Sequence, residues 1–229
     1  MEINKIYNRN CIDAMRELPN ECIDEVVSDP PYLIGYKTNR RKEEHRFGEV
    51  ILNDDNPKLI SDFFDEIYRL LKNNTGAYVF CSTKTLTVFL EEAKRVGFVV
   101  KNIIVWNKGN WTSGDLEGQF GQQWEPLLLL NKGRKTINGH RYGDVWECKR
   151  VVGDTQIHQN QKPLSLIERC IETHSKEGDL ILDPFMGSAT TAIASIRNHR
   201  NFIGYELDKG YFEKAQKRIK EELMQPQLF

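Results

Sequence analysis

Two short stretches of this chain carry residue types that could do chemistry. The first is Ser28-Asp29-Pro30-Pro31-Tyr32. The run Asp24-Glu25-Val26-Val27 precedes it and reads as a buried strand. Two consecutive prolines lack backbone donors and fix φ, so the chain must leave the sheet stiffly. Asp29 and Tyr32 are then held at the strand's C-terminal edge, where open α/β sheets bind ligands. An acceptor-only carboxylate, a free proline carbonyl and an aromatic face suit a flat ring that carries an amino group.

The second stretch is Asp183-Pro184-Phe185-Met186-Gly187-Ser188-Ala189-Thr190-Thr191, between a predicted strand and a predicted helix. Gly187 permits close backbone approach, and the small residues after it let a helix N-terminus face a ligand. The next strand ends in Gly204-Tyr205-Glu206. That places a carboxylate about 20 residues after the glycine loop, where an acidic side chain can accept hydrogen bonds from ribose hydroxyls. The G-x-G-x-x-G fingerprint of a pyrophosphate site is absent. An adenosyl ligand with a ribose and no phosphate fits better, which points to S-adenosyl-L-methionine (SAM).

The elements that must position these stretches follow from periodicity. Residues 3–7 make a short strand, and residues 11–18 a short helix with Ile12, Met15 and Leu18 inward. Residues 57–72 carry a helical apolar stripe (Leu59, Ile60, Phe63, Phe64, Ile67, Leu70, Leu71), which Asn73-Asn74-Thr75-Gly76 ends. A strand over 77–81, a helix over 85–96 closed by Gly97 and a strand over 98–106 follow. The second half continues with a helix at 163–175, a strand at 179–182, a helix at 188–197, a strand at 201–205 and a helix at 209–222. Alternating strands and helices predict an α/β fold with a mostly parallel, doubly wound sheet.

Between residues 107 and 150 the alternation lapses into two polar loops that flank one apolar strand, 125–131. Lys108, Trp111, Arg134, Lys135 and Arg141 in those loops, with Lys37, Arg40 and Arg41 after the proline pair, form basic and aromatic clusters that could lie along a phosphate backbone. Ordinary solvated loops are the plain alternative. Trp106, Trp124 and Trp146 read as core or strand-edge packing, and His158 and His174 have no metal-ligand spacing.

Composition sets the frame. With 229 residues the chain fits one domain with a real core, and 39% hydrophobic and 28% charged content is ordinary for a soluble protein. A formal net charge of -1 makes no global case for nucleic acid, so that case rests on the local clusters. Five scattered cysteines without a C-x-x-C pair argue against zinc or a disulfide framework and fit a reducing cytoplasm. No signal peptide and no membrane-spanning run appears, so no membrane association is expected.

Asp29-Pro30-Pro31-Tyr32, Gln161-Lys162-Pro163, Asp183-Pro184-Phe185-Met186-Gly187-Ser188 and Gly204-Tyr205-Glu206, in this order, resemble the β-class of amino-methylating DNA methyltransferases. Trp106-Asn107-Lys108 and Trp124-Glu125 match that pattern more weakly. The likeness spans nearly the whole chain and implies a Rossmann-like, circularly permuted methyltransferase domain over 1–229, with a target-recognition insertion near 107–150.

By position, the resemblance implies that Asp29 and the Pro30 carbonyl accept hydrogen bonds from the target amino group and that Tyr32 stacks on the base, Pro31 stiffening the turn. Asp183, Pro184, Phe185, Gly187, Ser188 and Thr190, with Asp29 and Lys162 nearby, would contact the methionine end of SAM, and Glu206 its ribose. Asn10 and Cys11 would lie near the adenine. Ala189 stands where the family often has glycine, and Asn10 where it usually has Asp. Double-stranded DNA is the implied substrate, adenine N6 the expected target and cytosine N4 the runner-up; a dimer is favoured. A non-catalytic DNA-binding or clamp-associated protein that kept the fold is the reading from another class. The terminal Gln225-Pro226-Gln227-Leu228-Phe229, a tail over 224–229, resembles the short peptide that docks on the bacterial sliding clamp, a frayed end being the plain alternative.

Overall fold

The structure, a computed structural model, describes residues 2–35, 54–111, 117–151 and 161–224. Lys37, Arg40, Arg41, His158 and the terminal 225–229 peptide lie outside the described residues.

Eight strands form one sheet: β1 (Lys5–Tyr7), β2 (Ile23–Ser28), β3 (Leu71–Phe80), β4 (Val99–Asn107), β5 (Trp124–Lys132), β6 (Val145–Glu147), β7 (Leu180–Asp183) and β8 (Asn201–Tyr205). Their spatial order is β1-β8-β7-β2-β3-β5-β4-β6. Each pairing is parallel except the two made by β5, which runs antiparallel to both β3 and β4. The predicted mostly parallel sheet is therefore present. Chain order reverses between β2 and β7, and that switch point opens a crevice beyond their C-terminal ends.

Helices cover both faces, as the apolar stripes require. α1 (Cys11–Arg16), α2 (Pro57–Leu70) and α3 (Leu86–Val96) pack Ile12, Met15, Phe63, Phe64, Ile67 and Phe89 onto one face. α4 (Leu164–His174) buries Leu166, Ile167, Cys170 and Ile171 on the other. There α5 (Thr190–Arg197) and α6 (Lys209–Met224) close over Ile6 and Phe202. The helix starts obey local chemistry. Asn56 caps α2 through Leu59 N–H, with Pro57 in the first turn where its missing donor costs nothing. Gly97 ends α3 at φ 109°, in the left-handed region.

Two expectations change. The turn-forming residues Asn73-Asn74-Thr75-Gly76 do not separate helix from strand; they belong to β3. Gly76 pairs with both Glu25 and Asn131, so two neighbouring strands override the local turn preference, and a register shift and Asn74 at φ 61° absorb the misfit. The three residues of β6 form a further strand, too short to show a period, parallel to β4. Trp106 and Trp146 are core, as read from sequence, and His174 is a buried imidazole whose Nδ1 lies 2.5 Å from the Tyr78 hydroxyl. No helix of the described residues is long and apolar enough to cross a membrane.

Glu25 in β2 is fully buried, and neither carboxylate oxygen has a hydrogen-bond partner among the described residues. Burial raises its pKa well above the ordinary 4.5, opposed only in part by Lys135 and by the nearby Ser175, whose hydroxyl donates to the Ile171 carbonyl rather than to Glu25. The folded chain therefore holds this proton more tightly than the unfolded chain. Its stabilising contribution is full below about pH 4.5 and is lost as pH rises through the folded-state value. Glu25→Gln keeps the shape without the charge. Urea unfolding should show it more stable than wild type at alkaline pH, with the two converging in acid.

Candidate active site

The C-terminal ends of β2, β7 and β8 form the walls of the crevice. At the end of β2 the backbone passes into Asp29 and the buried Pro30, as the proline pair demands. Asp29 Oδ1 accepts a hydrogen bond from the Tyr32 hydroxyl at 2.5 Å. Asp29 Oδ2 lies 2.8 Å from Lys162 Nζ. That ammonium also donates to the Tyr32 oxygen at 3.0 Å and to Glu125 Oε2 at 3.4 Å. It sits among the rings of Phe80, Tyr32 and Trp106, 4.9 to 5.7 Å from their centres. Lys108 completes the row by pairing with Glu125.

The electrostatics of this row are strongly coupled. Burial works against the Lys162 ammonium, but Asp29 and Glu125 overcome it and raise its pKa. Burial likewise opposes the Glu125 carboxylate, and Lys162 and Lys108 together hold its pKa below the ordinary value. For Asp29 burial prevails, and its pKa is raised despite Lys162 and Tyr32.

The second wall is the glycine loop between β7 and α5. Asp183 Oδ1 accepts from the Ser28 hydroxyl at 3.2 Å and the Phe185 N–H at 3.1 Å, and Oδ2 accepts from the Thr191 hydroxyl at 2.7 Å. The Ser28 bond ties two motifs that lie 155 residues apart in the chain. Burial pushes the Asp183 carboxyl up to about 7 in spite of these donors. Gly187 takes φ 51°, and its N–H donates to Glu206 Oε2 at 2.9 Å, while Asp208 N–H donates to Oε1 at 2.8 Å. Burial raises the Glu206 pKa against both donors.

Gly204 lies under Met186, whose methyl group occupies the space a β-carbon would need. Arg218 of α6 supports the loop from below, donating to the Ser188 carbonyl at 2.7 Å. Ala189, fully buried, adopts φ 64° and ψ 28° as the N-cap of α5. Holding a β-carbon there costs roughly 1–2 kcal/mol, which accounts physically for the family's frequent glycine at this place. Asn10 caps α1, accepting from Ile12 and Asp13 N–H, and Cys11 is a packed thiol that burial pushes up to about 12.

The structure thus gathers Asp29, Pro30, Tyr32 and Lys162 on one side and Asp183, Phe185, Gly187, Ser188 and Glu206 on the other. Lys162, expected near the methionine end of the cofactor, is bonded to Asp29, Tyr32 and Glu125. Lys108, expected to face DNA, is drawn inward to Glu125. Arg134 and Lys135 follow the last residue of β5, and because β5 is antiparallel they emerge at the edge opposite the crevice, beside Asn74 and Asn131. Arg141 is exposed in the loop before β6. Trp111, 69% exposed, and the fully exposed Phe120 follow the crevice end of β4. Arg218 was missed as a site residue, Glu125 was hinted at only by the weak Trp124-Glu125 match, and Ser28 and Thr191 lie in the two motifs without having been given a role.

The second wall offers carboxylates and turned backbone rather than a nest of free N–H groups. Such a wall suits a cationic, hydroxyl-bearing ligand and disfavours a phosphate. SAM meets that description, being a sulfonium with an amino group and a ribose.

Comparisons with known proteins agree with this geometry. The family model described as DNA methylase, for N6 and N4 enzymes, matches residues 23–217. DNA adenine methyltransferase YhdJ of Escherichia coli is 27% identical over 252 residues, covering 95% of this chain and 83% of that one. Type II methyltransferase M.HinfI of Haemophilus influenzae is 27% identical, covering 96% of this chain and 69% of its own length. Among solved structures, the M1.HpyAVI–SAM complex superposes with a TM-score of 0.73 at 27% identity, covering 94% of this chain and 98% of that one. The PvuII cytosine-N4 DNA methyltransferase shares the fold at a TM-score of 0.76 and 15% identity, covering 95% and 90% of the two chains. With the tetrapeptide and the glycine loop meeting at one switch point, and the family model spanning most of its length, the chain belongs to the N6/N4 DNA methylase family, the β-class of SAM-dependent amino-methyltransferases.

Proposed function

We propose that this protein methylates adenine at N6 in double-stranded DNA. The observation that carries the choice of base is Asp29 at the head of the tetrapeptide, a full carboxylate at the place that resembles the adenine-directed members of the family. The relationship to a DNA adenine methyltransferase over nearly the whole chain supports it. SAM supplies an activated methyl group when bound, so the protein's task is orientation and charge stabilisation.

An exocyclic amino nitrogen is a poor nucleophile because its lone pair is delocalised into the ring. Asp29 and the Pro30 carbonyl would accept its hydrogens, draw the nitrogen toward tetrahedral geometry and free that pair. In the free protein both Asp29 oxygens are already engaged, by Tyr32 and by Lys162. One movement therefore serves two ends: when the Tyr32 hydroxyl leaves Asp29, an acceptor is exposed and the ring is released to stack on the base. The base must leave the duplex to arrive there, at a cost of a few kcal/mol that stacking and pocket hydrogen bonds offset. Trp111 and Phe120, exposed beside the crevice, are the aromatics best placed to meet the opened duplex.

Cytosine N4 presents a similar amino group and is the second reading. Mass spectrometry of nucleosides from duplex DNA methylated by the pure protein decides between them. N6-methyladenine is expected, and N4-methylcytosine without it would refute the assignment. A non-catalytic role is disfavoured by the intact row of Asp29, Tyr32, Asp183 and Glu206.

A further inference from the structure

Glu125 lies where two lysines meet. Its carboxylate pairs with Lys108 and sits 3.4 Å from Lys162 Nζ, which in turn lies 2.8 Å from Asp29. Signs alternate along the row Asp29, Lys162, Glu125, Lys108, and the four formal charges cancel. Strand direction delivers the arrangement. Because β5 alone is antiparallel, its first residues reach the crevice edge, where Glu125 pairs in register with Trp106 and Lys108 follows the last residue of β4.

The chemistry makes that neutrality consequential. As the amino nitrogen takes the methyl group, the N–C bond forms and the S–C bonding pair stays with the departing thioether. Nitrogen becomes cationic until its proton passes to Asp29 and then to water. Positive charge thus develops beside Asp29, and an uncompensated ammonium in contact with that carboxylate would oppose it, with little screening in a buried wall. The Asp29 charge also acts on Asp183 and on Cys81, and at Cys81 Lys162 acts in the opposite sense.

We propose that Glu125 is a positioning residue: it holds Lys162 and cancels its charge, so that Asp29 can accept the amino hydrogens and face the developing cation. The proposal rests on the reading of Asp29 given under Proposed function. It assigns Lys108 to the same device, as the counter-charge that keeps Glu125 ionised.

Charge rescue tests it, with methyl incorporation from labelled SAM into duplex DNA from an unmethylated host. Glu125→Gln keeps the shape and leaves a net positive charge around Asp29; kcat should fall by about tenfold to a hundredfold, with KM for DNA and Kd for SAM within about threefold of wild type. Glu125→Gln combined with Lys108→Gln restores neutrality and should recover most of the loss. A merely structural Lys108–Glu125 pair predicts the reverse, a double variant no better than the single one. Wild-type kcat in Glu125→Gln, or no recovery in the double variant, overturns the proposal. Should Glu125→Gln fail to fold, the test passes to the double variant alone: with neutrality restored it should fold and keep measurable turnover well above that of Asp29→Ala, and an unfolded double variant, or a folded one as inactive as Asp29→Ala, overturns the proposal. Asp29→Ala in the same assay separates the two levels: if it remains active the reading of the site fails, whereas if it is inactive and Glu125→Gln is normal only this inference falls.

Discussion

Asp29→Ala should lower kcat by roughly a thousandfold or more and leave the Kd for SAM within about threefold of wild type. The reasoning is differential. On the proposed reading the carboxylate accepts hydrogens from an amino group whose charge changes during transfer, so its interaction strengthens toward the transition state and its loss appears in kcat. The wall proposed to hold SAM is built by a different set of residues, Asp183, Gly187 and Glu206, whose hydrogen bonds the substitution does not touch. Stability should suffer only in part. Lys162 keeps Glu125 as a partner, so the loss stays below the roughly 3–5 kcal/mol expected when a buried charge is orphaned. Single-turnover methyl transfer, with SAM binding followed by calorimetry, measures both quantities. Undiminished transfer would remove Asp29 from the mechanism.

The second large effect is expected at Glu206. Its two oxygens accept the N–H groups of Gly187 and Asp208, so the side chain both shapes the glycine loop and presents an acceptor at the crevice. Glu206→Ala leaves two backbone donors without that acceptor and removes the group assigned to the ribose hydroxyls. Charge-assisted hydrogen bonds of this kind contribute about 1.5–3 kcal/mol, so the Kd for SAM should weaken by roughly tenfold to a hundredfold. At saturating SAM, kcat should remain near wild type, because the amino-group acceptor is untouched. Glu206→Gln keeps one acceptor oxygen and should fall between. Wild-type affinity in Glu206→Ala would confine the residue to loop structure. The pH dependence supplies a control on the same wall: Asp183, pushed up to about 7 by burial, gains its negative charge as pH rises through neutrality. Binding of cationic SAM should therefore tighten over that range, and an Asp183→Asn variant should lose the effect.

Much of this architecture was readable from local pattern. The apolar stripe of α2 predicts the residues it buries, since Leu59, Ile60, Phe63, Phe64, Ile67 and Leu70 recur at the helical period and all face the sheet. The Pro30-Pro31 exit and the Gly187 turn were legible for a similar reason: ring closure and a missing side chain restrict φ whatever surrounds them. Where local chemistry was overruled, the cause is a neighbour distant in sequence. Asn73-Asn74-Thr75-Gly76 favours a turn, yet β3 runs through it, with β5 pairing Thr75 and both β2 and β5 pairing Gly76.

By itself, the sequence determined which groups leave the sheet and how stiffly. Asp29, Tyr32, Asp183 and Glu206 stand at strand ends because short-range sterics and apolar periodicity put them there. Only the tertiary structure decided what those groups meet. The pairing of Lys162 with Asp29, and of both with Glu125, depends on strand order and direction, which periodicity does not encode. One antiparallel strand carries Glu125 into the crevice and sends Arg134 and Lys135 to the opposite edge. Hydrogen bonding of β5 between β3 and β4 settles that direction.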